Sequence, residues 1–277
     1  MKMVAKRLYL LLVLAGALAV ATAGVAAEPT RIHTVFLPVV RSSPGQAASS
    51  PRKGVGVEVG AAVAQDIRDI GAAWWHNWYV SPDPIDVPGF VPTVGIPEYI
   101  GRPATPEAGW LLTFNEPNGP RDEGGSDVAP QEAAALWPEI MAAYPAHDLL
   151  APTMRTQTAY GYLDWRQWLD RWWAALSPAG RSRVAGLSLN CYAETADGQA
   201  VVAAVRQWGQ ERGVTGPVVL KEFFDPELVP WLEAQNVYYA WFLARVPDGI
   251  TPTSVWGRPL FDEDGLTPWG HAYRKLP

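Results

Sequence analysis

Trp110-Leu-Leu-Thr-Phe-Asn-Glu-Pro-Asn118 runs five nearly apolar residues straight into Asn115-Glu116-Pro117. A run that is apolar almost throughout reads as a strand buried on both faces, as in a parallel sheet. Seven similar runs lie around it. Gly54–Glu58, Ala73–Trp78 and Phe90–Val94 precede it, and Asp148–Ala151, Val184–Leu189, Pro217–Lys221 and Val237–Trp241 follow. Amphipathic stretches separate several of them. Asp164–Leu176 sets Trp165, Trp168, Leu169, Trp172 and Leu176 on one stripe, with Arg166, Asp170 and Arg171 off it. Gln131–Tyr144 and Gln199–Arg212 read as helices too, Gly60–Ile70 stops at Gly71, and Leu228–Gln235 and Thr267–Lys275 are shorter.

Eight strands with interposed helices over ~220 residues is the count of a single (β/α)8 barrel. Pro82, Pro84, Pro88, Pro92, Pro97, Pro103 and Pro106 leave no room for full helices after strands two and three, so those helices are expected to be shortened. A doubly wound α/β sheet is the alternative, but no glycine-rich phosphate loop follows strand one.

Composition narrows the function. The chain has 22 Lys+Arg against 28 Asp+Glu, a net of −6 with no basic stripe, which excludes a nucleic-acid footprint. With 48% hydrophobic and 18% charged residues it is not a disordered chain. A single cysteine excludes a disulfide scaffold and a cysteine-based zinc site. His33, His76, His147 and His271 have no metal-binding spacing, so neither metal nor cofactor is expected. Fourteen tryptophans suit both a protein core and the stacking of sugar rings.

At the N-terminus Lys2, Lys6 and Arg7 precede the apolar run Leu8–Ala27, with Val25 and Ala27 at −3 and −1 of a cleavage before Glu28. This is the layout of a secretory signal peptide; an uncleaved anchor is the alternative reading. The expected organisation is a signal at 1–27, a linker at 28–52 and a barrel domain at 53–277. The expected mature protein is secreted and monomeric, without stable membrane association.

In a barrel, chemistry sits at the carboxyl ends of the strands. Glu116 ends strand four, and Glu222 ends strand seven in Val218-Val-Leu-Lys-Glu-Phe223. A carboxylate there is costly unless paired or used. Two across one mouth suit glycosidic-bond hydrolysis, in which one protonates the leaving oxygen and the other attacks or activates water. Ion pairs with Arg155 or Arg258 are the structural alternative. Pro117 is expected to hold Glu116 in extended backbone. Asp225 and Glu227, on the following loop, are fallback nucleophiles.

The stretch 111–118, followed by Gln131-Glu-Ala-Ala-Ala-Leu-Trp-Pro138, resembles the acid/base strand and next helix of glycoside hydrolase family 128. Val218–Phe223 looks like that family's nucleophile strand, Tyr238-Tyr-Ala-Trp-Phe242 like its aromatic eighth strand and Trp75-His-Asn-Trp78 like its second. Leu260–Tyr273 is similar to the closing segment of such enzymes. The resemblance spans about 53–275. It implies a retaining endo-β-1,3-glucanase with Glu116 as acid/base and Glu222 as nucleophile. It further implies Asn115 on the sugar 2-OH, Tyr192 near the nucleophile and Trp241 as the floor of the cleavage subsite. Asn77, Trp78 and Asn190 would be further substrate contacts, with core packing the alternative for Trp78. Strand six departs from the family's His-Trp-Tyr, reading Asn190-Cys191-Tyr192. Lys221 replaces a small hydroxyl residue; pointing inward its ammonium would favour ionised Glu222, but it is expected to alternate away from the site. Glu58 is either a substrate contact or ion-paired, and Cys191 a small buried hydrophobe. A barrel that binds polysaccharide without cutting it, and a relative acting on mannan, xylan or mixed-linkage glucan, are the other readings.

Overall fold

The structure is a computed structural model that describes residues 49–58, 64–107, 109–247 and 258–277. The expected signal segment and most of the expected linker lie outside the described residues. Eight strands form one parallel sheet: β1 Lys53–Gly56, β2 Trp74–His76, β3 Thr93–Val94, β4 Gly109–Asn115, β5 His147–Arg155, β6 Val184–Asn190, β7 Val218–Phe223 and β8 Tyr238–Trp241. Their order is β2-β1-β8-β7-β6-β5-β4-β3. A bridge between Trp75 and Phe90 brings the ends together, with Val91 N–H donating to the Trp75 carbonyl at 2.8 Å. The result is a single, nearly closed (β/α)8 barrel.

All eight sequence runs carry a strand. Around them lie α1 Ala64–Asp69, α2 Pro130–Ala143, α3 Trp165–Ala175, α4 Pro178–Ser182, α5 Thr195–Gln210, α6 Val229–Ala234 and α7 Pro268–Arg274. Between β2 and β4 the only helical element among the described residues is the 3-10 turn Pro97–Tyr99, in keeping with the run of prolines.

Side chains alternate across a strand, so each strand feeds two layers. Inward, Trp74, Val91, Trp110, Leu112, Leu150, Val219 and Ala240 fill the lower barrel. Gly54 is required there, since a Cβ would lie 2.4 Å from the Trp74 indole. Outward, Trp137, Trp168, Trp172 and Trp208 are buried against the helices. Asp164 caps α3 by accepting from the Arg166 and Gln167 N–H groups at 2.9 and 3.0 Å. This sets the tryptophan stripe against Trp137, whose ring centroid is 5.1 Å from that of Trp172. At the foot, Lys53 Nζ donates to the Leu276 carbonyl at 2.9 Å, tying the end of the chain to β1, and burial pulls its pKa down to about 8. The tryptophans of α3 therefore serve packing, and the chemistry is left to the barrel's upper layer.

Candidate active site

Above the apolar layer the interior turns polar: His76, Asn115, Glu116, Asn190, Lys221 and Glu222 are all buried at the carboxyl ends of their strands. The register of β7 explains how two successive charged residues both point inward. Leu189 pairs with Leu220, but Asn190 pairs with Glu222; on the other side Leu220 pairs with Tyr239 and Phe223 with Trp241. One extra residue therefore sits in β7, a β-bulge that re-aims side chains. Lys221 faces inward beside Glu222, and Phe223 returns to the outer layer against Tyr239, Trp241 and Tyr273. The expectation that Lys221 alternates away assumed an unbroken period of two and is corrected.

The two carboxylates have different surroundings. Glu222 Oε1 accepts from Lys221 Nζ at 2.5 Å and from Trp78 Nε1 at 2.8 Å, while Oε2 accepts from the Tyr192 hydroxyl. Three donors, one of them cationic, thus converge on this carboxyl. Glu116 Oε1 accepts only from Asn190 Nδ2, at 2.9 Å. Burial, and then the charge of Glu222, raise the Glu116 pKa to about 7, against the opposing pull of Asn190, Arg155 and Lys221. A hydrogen-bonded chain joins the two: Asn190 Nδ2 also donates to Asn115 Oδ1 at 3.3 Å, and Lys221 Nζ donates to the same oxygen at 2.8 Å. Burial and the pressure of the carboxylates push the Tyr192 hydroxyl well above its ordinary range, so it stays a donor.

Glu116 does not adopt extended backbone. Its φ is +42°, and Phe114 (+35°) and Trp78 (+61°) share the left-handed region, a clustering of strain at the mouth. Tertiary hydrogen bonds override the preference set by Pro117. Glu116 N–H donates to the Thr153 carbonyl at 2.8 Å, and Gly119 N–H returns to the Glu116 carbonyl at 2.9 Å. Neither expected arginine pairs with a catalytic candidate. Arg155 pairs with Glu123 at 2.5 Å, and Arg258 donates to the Phe224 carbonyl and stacks on Trp269.

Of the remaining candidates, Trp78 lies in the mouth, half-buried, edge-on to His76 at 5.1 Å and to Phe242 at 6.0 Å. Tyr192 meets Phe242 at 5.4 Å, so Trp78, Phe242 and Tyr192 collar Glu222. Trp241 and Asn77 are not brought to the carboxylates. Trp241 is fully buried among Phe223, Trp269 and Tyr273, with Nε1 on the Arg258 carbonyl. Along β8, Tyr238 and Ala240 face inward, so Phe242 is the next inward residue and Trp241 is not. Asn77 spends its amide on the loop after β2, donating to the Ser81 carbonyl and accepting from Tyr79 N–H. Asp225 caps the turn at Glu227. Sequence reading missed Phe242 and the inward Lys221. Alternation from Tyr238 would have given the first; the bulge that lets Lys221 and Glu222 both face inward leaves no sequence signal. Glu58, half-buried, lines a cavity of 570 Å³ with Tyr79, Ser81, Asp83, Tyr99 and Arg102, and burial raises its pKa.

A (β/α)8 barrel with two buried carboxyls in different surroundings at its mouth is the arrangement of a glycosidase. The chain belongs to the glycosyl hydrolase catalytic core family, whose model matches residues 60–273, and it is an O-glycosyl hydrolase. Its likeness to glycoside hydrolase family 128 extends to solved structures. A subgroup II endo-β-1,3-glucanase from Pseudomonas viridiflava is 26% identical, with a TM-score of 0.65 over 83% of this chain and 99% of that one. A subgroup II endo-β-1,3-glucanase from Sorangium cellulosum is 24% identical, with a TM-score of 0.63 over 82% and 98%. A mutant of a subgroup I endo-β-1,3-glucanase from Amycolatopsis mediterranei, in complex with laminarihexaose, is 23% identical, with a TM-score of 0.63 over 82% and 100%. No protein of curated function matches the chain.

Proposed function

We propose that the protein is an endo-acting β-1,3-glucanase that retains anomeric configuration, with Glu222 as nucleophile and Glu116 as acid/base. The observation that carries the roles is the asymmetry of the pair: three donors on Glu222, and a Glu116 whose pKa is raised to about 7. A general acid needs its proton near working pH, and a nucleophile must be ionised from the start. Glu222 bonds to the anomeric carbon while the glycosidic C–O bond breaks and the Glu116 proton passes to the departing oxygen. Water then attacks the same carbon, gives its proton to Glu116, and the ester bond to Glu222 breaks. The β-1,3-glucan assignment is supported by the similar enzymes that carry that activity in their names. A barrel that only binds has no use for two buried carboxyls so differently surrounded.

We also propose that the protein is exported, from the order of charged, apolar and small residues over 1–27. N-terminal sequencing of the native product should begin near Glu28. For the chemistry, Glu222→Gln should abolish turnover on every glycan. Glu116→Gln should lose far more on natural glucan than on activated aryl glycosides, which depart without protonation. Near wild-type rates in both variants contradict the assignment.

A further inference from the structure

The assignment of Glu116 and Glu222 leaves one buried charge without a role. Lys221 is fully buried, with Nζ 2.5 Å from Glu222 Oε1, 2.8 Å from Asn115 Oδ1 and 5.1 Å from the centre of the Trp78 ring. An ammonium out of water is costly, and packing alone gives no reason to place one at this position. Alternation from inward Val219 points Lys221 into the mouth, and the bulge then turns Glu222 in beside it.

The proposed reaction keeps one negative charge in the mouth at every stage. Before reaction Glu222 is ionised and Glu116 carries the proton. After the first displacement Glu222 is a neutral ester, and Glu116, its proton gone with the leaving oxygen, holds the charge. Hydrolysis returns the proton to Glu116 and the charge to Glu222. The charge moves from one carboxyl to the other while the cation stays, and Asn115 Oδ1, shared by Lys221 and Asn190, leads from the ammonium to Glu116.

We propose that Lys221 is the fixed counter-charge of the mouth, a positioning residue that keeps Glu222 ionised in the free enzyme and stabilises ionised Glu116 in the glycosyl-enzyme. The proposal rests on the roles assigned above. The groups that face the ammonium are Glu222 on its own strand, Asn115 and Glu116 at the end of β4, and His76 and Trp78 at and beyond the end of β2. Tyr192 stands behind Glu222, and Arg155 is occupied by Glu123. His76, buried with Nε2 against the Lys221 carbonyl at 3.1 Å, has its pKa driven well below the ordinary range by burial and by Lys221, so it is neutral. Among the described residues, Lys221 is the cation in hydrogen-bond contact with a catalytic carboxyl.

Lys221→Met and Lys221→Arg test this, read by carboxyl ¹³C NMR titration of the two glutamates and by the pH profile of kcat/KM on β-1,3-glucan. Removing the ammonium removes one of the pulls that lower the Glu116 pKa, so the Met variant should raise the Glu116 titration and move the limbs of the profile to higher pH. Arg should keep them near wild type. A Met variant that is slower but whose titrations and limbs do not move has lost only packing, and the proposal is overturned. A wild type that cuts no glycan overturns the functional assignment, while the carboxyl titration still decides the role of Lys221. If the Met variant does not fold, the Cε and Nζ shifts of Lys221 in the wild type decide: an ammonium across about pH 5–8 upholds the proposal, and a neutral amine there refutes it.

Discussion

Glu116→Gln should stabilise the protein at neutral pH while crippling it. Glu116 is 5% exposed, and its pKa stands at about 7 in the fold against an ordinary 4.5. The folded state therefore holds a proton that the unfolded chain releases between those values. Below about pH 4.5 both states are protonated and nothing is lost. As pH rises from about 4.5 to 7 the unfolded chain gives up this proton while the fold keeps it, so stability falls, levelling off once the buried carboxyl ionises above about 7. A shift of this size is worth about 3 kcal/mol. Glutamine keeps the shape and the Asn190 hydrogen bond but has no proton to lose. Guanidinium unfolding of wild type and variant, side by side from about pH 4 to 8, isolates the titration of the mouth, because groups away from it titrate alike in both. The variant should match the wild type at the acid end and exceed it by up to about 3 kcal/mol at the alkaline end. A difference that does not change with pH refutes the raised pKa, and with it the reason for naming Glu116 the acid.

Three further outcomes follow from the collar and from the strand behind it. Tyr192→Phe removes a donor from ionised Glu222, worth about 1.5–3 kcal/mol, so kcat/KM should fall roughly 10- to 100-fold; a loss under about two-fold leaves the hydroxyl without a role. Trp241→Ala should cost about 3–5 kcal/mol in an unfolding titration yet leave the folded enzyme's kcat/KM near wild type. Phe242→Ala, which strips an edge contact from both Trp78 and Tyr192, should lower kcat/KM about 10-fold or more. The reverse pattern restores Trp241 as the subsite floor.

The barrel was legible because parallel strands buried on both faces must be apolar nearly throughout, and each of the eight runs met that demand. Both glutamates were legible for the complementary reason, since a charge at the end of such a run needs a purpose. What escaped was local geometry set by tertiary contacts. The bulge in β7 depends on how Leu220 to Phe223 pair with β6 and β8, and no residue type announces it. The left-handed backbone at Glu116 is fixed by Thr153 and Gly119, against the preference that Pro117 sets locally. The family resemblance assigns Trp241 to the mouth, but the alternation of β8 gives that place to Phe242.

A retaining reaction on β-1,3-glucan performed by Glu116 and Glu222 dictates the anomeric form of the fresh product. ¹H NMR of a β-1,3-gluco-oligosaccharide digest, recorded before mutarotation, reads that form at the new reducing end. Two displacements at one carbon should release the β-anomer first, with the α-anomer growing in only as the sugar equilibrates. An α-anomer as the first product, or no cleavage of β-1,3-linked substrate by the folded protein, contradicts the account.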